Sequence, residues 1–468
     1  MVKGIILAAG EGTRMKSDTS KVLHTLLSKP LIYYVVKEAK KVCDEIIIVA
    51  NEKNEADIKK IFPDIKTVIQ KVGDEYPYGT GYAASIALEG IKEDDGICIV
   101  LSGDVPLLRG ETLEEMVSKH KKNGNSSTVL SCEMNDPSGY GRIVFGEDKK
   151  FKKIVEDKDA NIEELNIKEI NSGIYSFNIA ELKKFIEELD MDNSQGELYL
   201  TDLIEILVEN NLKVDTYKLD FKDYEQIMGI NNKLQLSEVE DIMRKRINEK
   251  YMLGGVILEN PNTITIEEGV EIGKDTRIGQ NVSILGKSKI GSFCHIKSNS
   301  RIENSTLENN VVIDSSVIED SYIEEGADVG PFSHLRPKAH LGKNVHIGNF
   351  VEVKNANVGE NTKAGHLAYV GDADIGSNVN IGCGAIFVNY DGTFKHRSKI
   401  GDHAFIGSNA NIVAPVTIED YGYIAAGSTI TKDVQKGYLA IERANQANIE
   451  GYAEKKAARD EKIKKDMQ

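Results

Sequence analysis

The chain has 468 residues, with 58 Lys and Arg against 74 Asp and Glu, and a formal net charge of −16 at pH 7. This length exceeds one ordinary domain, and the negative charge argues against a general nucleic-acid binder. With 40% hydrophobic and 28% charged residues, the composition is typical of a globular protein rather than a disordered chain.

The sequence also predicts the compartment of the protein. Residues 1–10 lack the length and the cleavage site of a secretory signal, and no uncharged apolar stretch of about 18 residues occurs, so we expect no membrane insertion. The cysteines are odd in number, far apart and without a C-x-x-C pair, which indicates a reducing cytoplasm and no structural zinc. They are Cys43, Cys98, Cys132, Cys294 and Cys383.

The first half of the chain alternates short apolar runs with amphipathic stretches. The apolar runs at 4–9, 45–50, 97–101 and 128–132 predict strands, and the stretches 31–41 and 111–121 predict helices. This order indicates an α/β doubly wound (Rossmann-like) domain with ligands at the carboxyl ends of its strands. An apolar stripe of Leu236, Val239, Met243 and Ile247 predicts a helix. We therefore expect a first domain at 1–230, a linker helix at 231–252 and a second domain at 253–468.

The period of the sequence changes after Gly255. Aliphatic residues then recur at every sixth position, which neither a helix nor an ordinary strand explains, and the pattern slips near 307–318. A six-residue repeat predicts a parallel β-helix in which three hexads form one triangular coil; chance alternation in a β-sandwich is the alternative. The repeats include Ile266, Ile272, Ile278, Ile284, Ile290, Ile296, Ile302, Ile323, Val329, Leu335, Leu341, Ile347, Val353, Ile375, Ile381, Phe387, Ile400, Ile406, Ile412, Ile418, Ile424 and Ile430.

Two segments of the first domain carry groups that bind phosphates. The first predicted strand leads into a glycine-rich segment, 10–15, and Lys21 follows it; glycine N–H groups, Arg14 and Lys21 are suited to a triphosphate. The segment matches neither the dinucleotide fingerprint nor the P-loop, so a solvated glycine turn is the alternative. Asp104 follows a predicted strand and is placed to hold Mg²⁺ on phosphates, or to cap a turn.

The second domain offers a cationic pair and a candidate base. Arg336 and Lys354 are eighteen residues apart, so they stack on adjacent coils and predict a bound phosphate; two solvated cations are the alternative. The spacing from 353 to 375 exceeds one coil by four residues, which predicts that 364–369 bulges from the wall. His366 in this bulge could act as a general base, or be merely exposed. A small insertion is expected near 389–392.

Three further histidines invite a metal interpretation. His334, His340 and His346 lie six residues apart, so we expect them on three successive sides of one coil, where they cannot share one ion within a chain. A zinc site is therefore disfavoured.

Motifs along the chain resemble a known family. The first domain resembles nucleotide-sugar pyrophosphorylases, and the hexads resemble those of hexapeptide acyltransferases. Together they resemble the bifunctional N-acetylglucosamine-1-phosphate uridyltransferase/glucosamine-1-phosphate acetyltransferases over nearly the whole chain, which implies a left-handed parallel β-helix and a homotrimer. The motifs are Leu7-Ala8-Ala9-Gly10-Glu11-Gly12-Thr13-Arg14-Met15, Lys21-Val22-Leu23-His24, Gly79-Thr80-Gly81, Ser102-Gly103-Asp104, Gly139-Tyr140-Gly141-Arg142, Ile154-Val155-Glu156, Glu169-Ile170-Asn171-Ser172-Gly173 and Gly229-Ile230-Asn231-Asn232.

The resemblance implies roles for individual residues of the first domain. Arg14 and Lys21 would steady the phosphates, and Asp104 with Asn231 would hold Mg²⁺. The uridine nucleotide would contact Leu7, Ala8, Ala9, Gly10, Gln70, Gly79 and Thr80, and the amino sugar Gly141, Glu156 and Asn171. The sequence departs from the family pattern at Ser20, at Tyr82 and in a longer stretch, 71–78.

In the second domain the resemblance makes His366 the catalytic base of acetyl transfer. Arg336, Lys354, Tyr369 and Asn380 would hold glucosamine 1-phosphate. Acetyl-CoA would contact Cys383, Asn389, Tyr390, Ser408, Ala426 and Arg443, with Asn389 and Tyr390 also beside the sugar phosphate. Cys383 stands where alanine is common in the family.

The sequence therefore predicts a cytoplasmic enzyme with two active sites. One acetylates glucosamine 1-phosphate from acetyl-CoA, and the other couples the product to UTP with Mg²⁺, giving UDP-N-acetylglucosamine for cell-wall and lipopolysaccharide-type precursors. Two alternatives remain: a nucleotidyltransferase whose β-helix only oligomerises or regulates, and a scaffold without activity.

Overall fold

A computed structural model describes residues 1–71, 73, 75–147 and 149–467 of the chain. It contains two compact units, residues 1–244 and 245–468, and each is described here by itself. The division falls within the helix Lys233–Leu253.

The first unit is built on a sheet whose seven main strands are parallel except for one. Glu169–Asn178 runs antiparallel to both of its neighbours, and the hairpin Arg142–Phe145 and Phe151–Val155 pairs with its start. This arrangement confirms the predicted mostly parallel sheet. In spatial order its main strands are Val214–Leu219, Ser127–Glu133, Glu169–Asn178, Ile97–Ser102, Val2–Leu7, Glu45–Ala50 and Lys66–Ile69; a small hairpin joins Thr25–Leu26 and Lys29–Pro30.

Helices cover both faces of this sheet. Successive strand residues point to opposite faces, so Ile5 packs in one apolar cluster and Ile6 in the other, and both are fully buried. Gly124 ends Gly110–Asn123 in the left-handed conformation, at a φ of 60°. The helices are Leu31–Ala39, Glu55–Ile61, Thr80–Leu88, Gly110–Asn123, Ile162–Leu165, Ile179–Phe185 and Leu200–Glu209, and 3₁₀ turns occupy Thr13–Met15, Lys21–Leu23, Ile186–Glu188 and Phe221–Ile227.

The second unit is a parallel β-helix, as predicted. The hexad residues point inward and are buried, except for the partly buried Ile272. A longer ladder of parallel strands contains Ile257–Leu258, Thr265–Ile266, Arg277–Ile278, Ser283–Leu285, His295–Ile296, Arg301–Glu303, Val312–Ile313, Val317–Glu319, Asp328–Val329, His334–Leu335, His346–Lys354, Lys363–Gly371, Asn380–Ile381, Ile386–Val388, Phe405–Ile406, Asn411–Val413, Tyr423–Ile424, Thr429–Ile430 and Leu439–Ala440. A shorter ladder contains Glu271–Ile272, Lys289–Ile290, Thr306–Leu307, Tyr322–Ile323, His340–Leu341, Asn357–Val358, Ala373–Ile375, Ser398–Ile400 and Thr417–Ile418.

The length of a coil varies along the β-helix. Cross-coil hydrogen bonds join residues 18 apart in regular coils, but 16 apart at Ser305 and Ser321, which accounts for the slip near 307–318. The predicted bulge at 364–369 is wrong: Lys363–Gly371 pairs with His346–Lys354 at a constant offset. This coil is one residue short, with contacts between residues 17 apart, so the wall closes without a bulge.

The insertion after Ile386–Val388 is larger than predicted. Residues 25 apart pair across it, as in the Ser377 to Asp402 hydrogen bond, so the loop 389–397 leaves the coil as a compact excursion. The chain ends in the helix Tyr452–Asp466, which has no buried residue. Among the described residues, none of the helices has both the length and the apolar character needed to cross a bilayer.

Candidate active sites

The first candidate site lies at the carboxyl end of the strand Val2–Leu7. The chain leaves this strand through Ala8 and Ala9, and two buried asparagines hold the loop. Asn54 Nδ2 donates to the Ala8 carbonyl oxygen at 2.8 Å, and Asn51 Nδ2 donates to the Ala9 carbonyl oxygen at 2.9 Å. These bonds fix the loop backbone in advance of substrate binding.

Ser20 and Gly12 bring Lys21 against this loop. Ser20, the departure from the family pattern, accepts a hydrogen bond from Asn54 Nδ2 at 2.9 Å through its hydroxyl oxygen. Gly12 has a φ of 63°, and a Cβ atom on it would lie 2.7 Å from Lys21 Cβ. Position 12 therefore requires glycine both for its conformation and for this close approach.

Four of the predicted site residues converge in one polar cluster. Lys21 Nζ forms an ion pair with Asp104 and donates to Asn231 Oδ1 at 3.2 Å. Arg14 Nη2 donates to the same Asn231 oxygen at 2.8 Å. The Ile230 N–H donates to the Asp104 carbonyl oxygen at 3.1 Å, which fixes the loop that carries Asn231. The cluster joins segments that are distant in the sequence at one end of the sheet.

The two predicted Mg²⁺ ligands are compatible with a shared cation. Oxygens of Asp104 and Asn231 both contact the Lys21 ammonium group, so both can reach a single positive ion at that place. The described residues contain no group of three or more His, Cys, Asp or Glu side chains suited to a metal. Mg²⁺ takes about six oxygen ligands, so substrate phosphates and water would have to supply the rest.

A cavity of about 220 Å³ lies beside the polar cluster. It is lined by all of the predicted nucleotide contacts, Leu7, Ala8, Ala9, Gly10, Gln70, Gly79 and Thr80. Gly79 has a φ of 117°, and a Cβ atom there would come within 2.4 Å of the Leu198 carbonyl oxygen. This contact explains why glycine precedes the helix Thr80–Leu88. Within the lengthened stretch 71–78, residues 72 and 74 lie outside the described residues.

A second cavity, of about 700 Å³, continues from the first. Gly10, Lys21, Tyr78 and Glu197 line both, so the two form one cleft. The second part also contains Arg14, Gly139, Glu156 and Asn231. The cleft therefore has one side lined by the predicted nucleotide contacts, a centre with Arg14 and Lys21, and a polar far side.

Of the predicted amino-sugar contacts, Glu156 lines the far side of the cleft, and Gly141 and Asn171 are bonded to each other. The Asn171 N–H donates to the Gly141 carbonyl oxygen at 2.9 Å, and Asn171 Nδ2 donates to the Tyr175 hydroxyl oxygen at 2.8 Å. Glu156 lies nearby, and its burial raises the pKa of its carboxyl group. The Thr201 hydroxyl donates to Glu156 Oε1 at 3.1 Å, which opposes that rise.

The sequence analysis missed several residues of this cleft. Tyr78 and Glu197 line both cavities, and Thr201 contacts Glu156. Tyr140 lies within a recognised motif, and its phenol oxygen accepts from the Gly229 backbone beside Asp104. None of these contacts follows from a local pattern, because each joins segments that the fold alone brings together.

In the second unit, the predicted base and three of the predicted coenzyme contacts stack in one column. His366 pairs with Asn349 on the preceding coil. One coil further, the Asn409 N–H donates to the Cys383 carbonyl oxygen at 2.8 Å, and the Gly427 N–H donates to the Ser408 carbonyl oxygen at 2.9 Å. His366, Cys383, Ser408 and Ala426 thus occupy equivalent positions on successive coils. Arg443 Nη1 donates to the Ala426 carbonyl oxygen at 3.0 Å and closes the column.

The β-helix is triangular in section, and the chain turns at each of its edges. Most of the predicted sugar-phosphate contacts lie across one edge from this column. The edge is marked by positive φ angles at Phe350 and Leu367, of 57° and 36°. His366 precedes the edge and Tyr369 follows it on the same strand. Asn380 instead lies on the side of the histidine, paired with Lys363. A ligand at the edge could touch both groups.

Three cations meet beyond the edge. The Arg336 N–H donates to the Val353 carbonyl oxygen, so Arg336 and Lys354 are adjacent in register as predicted. Lys395, which the sequence analysis missed, lies against Lys354, and the two cations Lys395 and Arg336 lower the pKa of the Lys354 ammonium group. Carboxylates oppose this charge: Glu352 accepts from Arg336 Nη1 at 2.6 Å, and Asp372 favours the charged form of Lys354. Three cations at one place still offer donors suited to a phosphate.

The loop 389–397 is held in place by charged and polar bonds. Asn389 Nδ2 donates to Asp372 and lies 3.4 Å from the Tyr369 hydroxyl oxygen. The Asp391 carboxylate accepts from the backbone of Thr393 and Phe394, and from His396; these bonds lower its pKa to about 2. The Tyr390 hydroxyl donates to the Gly392 carbonyl oxygen at 2.6 Å.

The three histidines at six-residue spacing each bind a separate carboxylate on the preceding coil. His334 Nε2 lies 3.1 Å from Glu319, and His340 Nε2 lies 2.8 Å from Glu324. His346 Nδ1 lies 2.7 Å from Asp328. These contacts link neighbouring coils and do not bring the rings together.

Two family models match parts of this chain, and one solved structure is similar to about half of it. The family model for a nucleotidyl transferase matches residues 3–228, and the model for the bacterial transferase hexapeptide (six repeats) matches residues 269–304 and 397–432. A solved structure with 19% identity and a TM-score of 0.41 is a putative glucose-1-phosphate thymidylyltransferase from Bacillus anthracis in complex with sucrose; the match covers 52% of this chain and 95% of that one.

Curated relatives match over almost their whole length. The bifunctional protein GlmU of Alkaliphilus oremlandii is 46% identical, covering 97% of this chain and 98% of the relative. The bifunctional protein GlmU of Clostridioides difficile is 47% identical, covering 99% of each chain. This chain therefore belongs to the family of bifunctional proteins GlmU, which confirms the predicted union of a nucleotidyltransferase and an acetyltransferase in one chain.

Proposed function

We propose that the chain converts glucosamine 1-phosphate to UDP-N-acetylglucosamine in two steps, with the site residues named above. Acetyl transfer from acetyl-CoA comes first, and uridylyl transfer from UTP follows with release of pyrophosphate. The observation that carries this assignment is the presence of both sets of groups: the cluster of Lys21, Asp104 and Asn231 in one cleft, and the column from His366 to Ala426 on the β-helix.

In the uridylyl transfer, an oxygen of the sugar phosphate attacks the α-phosphorus of UTP. The bond from that phosphorus to the bridging oxygen breaks, and pyrophosphate leaves. Arg14 and Lys21 lie where they can offset the charge of the phosphates, and the fixed loop at Ala8 and Ala9 positions the nucleotide. Mg²⁺ held by Asp104 and Asn231 would neutralise phosphate charge. Such a transfer depends on positioning and electrostatics and needs no covalent nucleophile.

In the acetyl transfer, the amine of glucosamine 1-phosphate attacks the thioester carbonyl of acetyl-CoA. His366 takes a proton from the amine, and the carbon–sulfur bond breaks so that coenzyme A leaves and is protonated to the thiol. Arg336, Lys354 and Lys395 would hold the phosphate of the sugar across the edge from His366. The exposed column of Cys383, Ser408 and Ala426 offers the coenzyme an extended surface.

The assembly and location follow from the same proposal. A homotrimer is supported by the hexapeptide repeats and by the open position of the second site on one edge. Large apolar side chains are exposed along this edge, with 60% of Phe332, 61% of Phe350 and 59% of Leu367 accessible. Their covering by neighbouring copies would bury apolar surface. The product would serve cell-wall precursor synthesis in the cytoplasm.

One coupled assay tests the proposal. The purified chain is supplied with glucosamine 1-phosphate, acetyl-CoA, UTP and Mg²⁺, and UDP-N-acetylglucosamine is measured by mass spectrometry. Omitting acetyl-CoA should stop its formation, and adding N-acetylglucosamine 1-phosphate should restore it. If the chain formed the product only from N-acetylglucosamine 1-phosphate, the β-helix would have no acetyltransferase role and the two-step proposal would be wrong.

A further inference from the structure

A short segment, 198–201, connects the two ends of the cleft in the first unit. On the nucleotide side, the Leu198 N–H donates to the Tyr78 carbonyl oxygen at 2.8 Å, and the Leu198 carbonyl oxygen accepts from the Gly81 N–H at 2.8 Å. The Leu200 N–H donates to Thr80 Oγ1 at 3.1 Å. The backbone of Leu198 and the N–H of Leu200 therefore attach the segment to residues 78–81, which border the nucleotide pocket.

The same segment reaches the sugar side through one hydroxyl group. Thr201, in the first turn of the helix Leu200–Glu209, is 4% exposed, and its Oγ1 donates to Glu156 Oε1 at 3.1 Å. Among the described residues, no other side chain donates a hydrogen bond to Glu156. Within this part of the chain, Thr201 is therefore the side chain whose hydrogen bond restrains the Glu156 carboxylate.

The surroundings of Glu156 make this single bond important. Four acidic side chains, Asp157, Asp159, Glu197 and Asp202, lie close enough to interact with it electrostatically. Burial and these like charges disfavour the ionised form of Glu156, whereas a hydroxyl donor favours it. A carboxylate that is ionised and oriented can accept hydrogen bonds from two sugar hydroxyl groups.

We infer that Thr201 is a positioning residue of the sugar subsite, whose hydroxyl orients Glu156 and keeps it a hydrogen-bond acceptor for the sugar. This inference rests on the proposed uridylyl transfer. It also gives the segment 198–201 a role, because the residue that orients the sugar contact is attached to the nucleotide pocket.

The test compares Thr201→Val with Thr201→Ser. Valine keeps the shape of threonine but lacks the hydroxyl, whereas serine keeps the hydroxyl. We expect Thr201→Val to raise the KM for N-acetylglucosamine 1-phosphate by about tenfold, with a small change in the KM for UTP. Thr201→Ser should keep both KM values close to those of the natural chain. The acid limb of the kcat/KM profile should move to higher pH in Thr201→Val, because the pKa of Glu156 rises without its donor.

A double-mutant cycle and a control exclude a merely structural effect. In the Glu156→Gln background, Thr201→Val should cost much less than in the natural chain, because its effect acts through the carboxylate. Tyr217→Phe removes another hydroxyl-to-carboxylate bond of the first unit, to Glu115, and should leave both KM values unchanged. Circular dichroism and the acetyltransferase activity report whether each variant is folded.

Two results would overturn the inference: equal kinetics and equal pH profiles in Thr201→Val and the natural chain, or the same loss from Thr201→Val with and without the Glu156 carboxylate. Either result leaves the proposed function intact. If instead the natural chain formed no UDP-N-acetylglucosamine from UTP and N-acetylglucosamine 1-phosphate, the proposed function itself would fail. The outcomes are therefore distinguishable.

Discussion

Lys21 forms an ion pair with Asp104, although the two residues are 83 positions apart in the sequence. Both side chains are mostly buried, with 17% and 14% of their surface accessible. Asp104 follows the strand Ile97–Ser102, and Lys21 lies next to the loop that follows Val2–Leu7, the neighbouring strand of the sheet. The pair therefore holds the proposed metal ligand, Asp104, beside the proposed phosphate contact, Lys21.

Asp104→Asn should reduce uridylyl transfer by at least about 100-fold and raise the Mg²⁺ concentration needed for half-maximal rate. The amide keeps an oxygen but loses the charge that attracts the metal ion. Initial rates of pyrophosphate release at a series of Mg²⁺ concentrations measure both effects. Asp94→Asn, which breaks a surface ion pair with Lys183, is the control and should behave like the natural chain. Unchanged Mg²⁺ dependence in Asp104→Asn would contradict the assigned role.

His366→Ala should lower acetyl transfer by about 10²- to 10⁴-fold and leave uridylyl transfer unchanged, because a general base acts only in the first of the two steps. The release of free coenzyme A thiol measures the first activity, and pyrophosphate release measures the second. His295→Ala changes another histidine of the β-helix and should affect neither rate. Equal loss of both activities in a folded His366→Ala variant would contradict separate sites.

The fold could be predicted further than the sites, because periodicity is a local property. The hexads identify the inward side of every coil, and even their slip near 307–318 corresponds to shorter coils. The motif around Arg14 and the motif around Asn231 were each recognised from a short segment. Asn231 Oδ1 accepts hydrogen bonds from both Arg14 and Lys21. These are long-range contacts, which only the folded chain provides.

The spacing argument failed where it assumed a constant coil. His366 lies on a regular strand because its coil contains one residue fewer, a change that a turn absorbs without a bulge. Lys395 was missed for a related reason. It belongs to the loop 389–397, whose path has no period, and only folding places it beside Lys354. Thr201 likewise contacts a residue 45 positions away.

Arg336→Ala and Lys395→Ala should each raise the KM for glucosamine 1-phosphate by about ten- to a hundredfold, because each removes a charged contact to the phosphate. The KM for acetyl-CoA should change much less. Arg301→Ala is the matched control, since Arg301 forms an exposed ion pair with Glu303 on the same β-helix. An unaltered KM for glucosamine 1-phosphate in both variants would show that the phosphate binds elsewhere.

The stability of the first unit should depend on Asp202. Burial and the nearby Glu156 raise the pKa of Asp202 from 3.8 to about 6. A carboxyl group with a raised pKa in the folded state favours folding below pH 3.8, and this contribution is lost as the pH rises through about 6. Asp202→Asn should therefore stabilise the unit at pH 7 and have little effect at pH 4.

Urea unfolding of the uridyltransferase unit within the full chain, at pH 4 and at pH 7, measures this effect. The expected gain at pH 7 is about 1 kcal/mol, because solvent screens the partly exposed group and reduces the effect below that of the full pKa shift. Asp192→Asn, a change at an exposed carboxyl group, is the control. A gain of equal size at both pH values would show that the ionisation of Asp202 is not its cause.

Cys383 should be the cysteine through which alkylation inhibits acetyl transfer. It is exposed, whereas Cys98, Cys132 and Cys294 are buried and burial raises the pKa of Cys43 to about 12. A thiol reacts as its thiolate, so iodoacetamide should modify Cys383 first, and the added group would obstruct the column that runs from His366 to Ala426. Acetyl-CoA should protect against the modification, and uridylyl transfer should continue.

Peptide mass spectrometry locates the label, and Cys383→Ala should remain active and resist inhibition. Inhibition of acetyl transfer at the same rate in Cys383→Ala would place the sensitive group elsewhere.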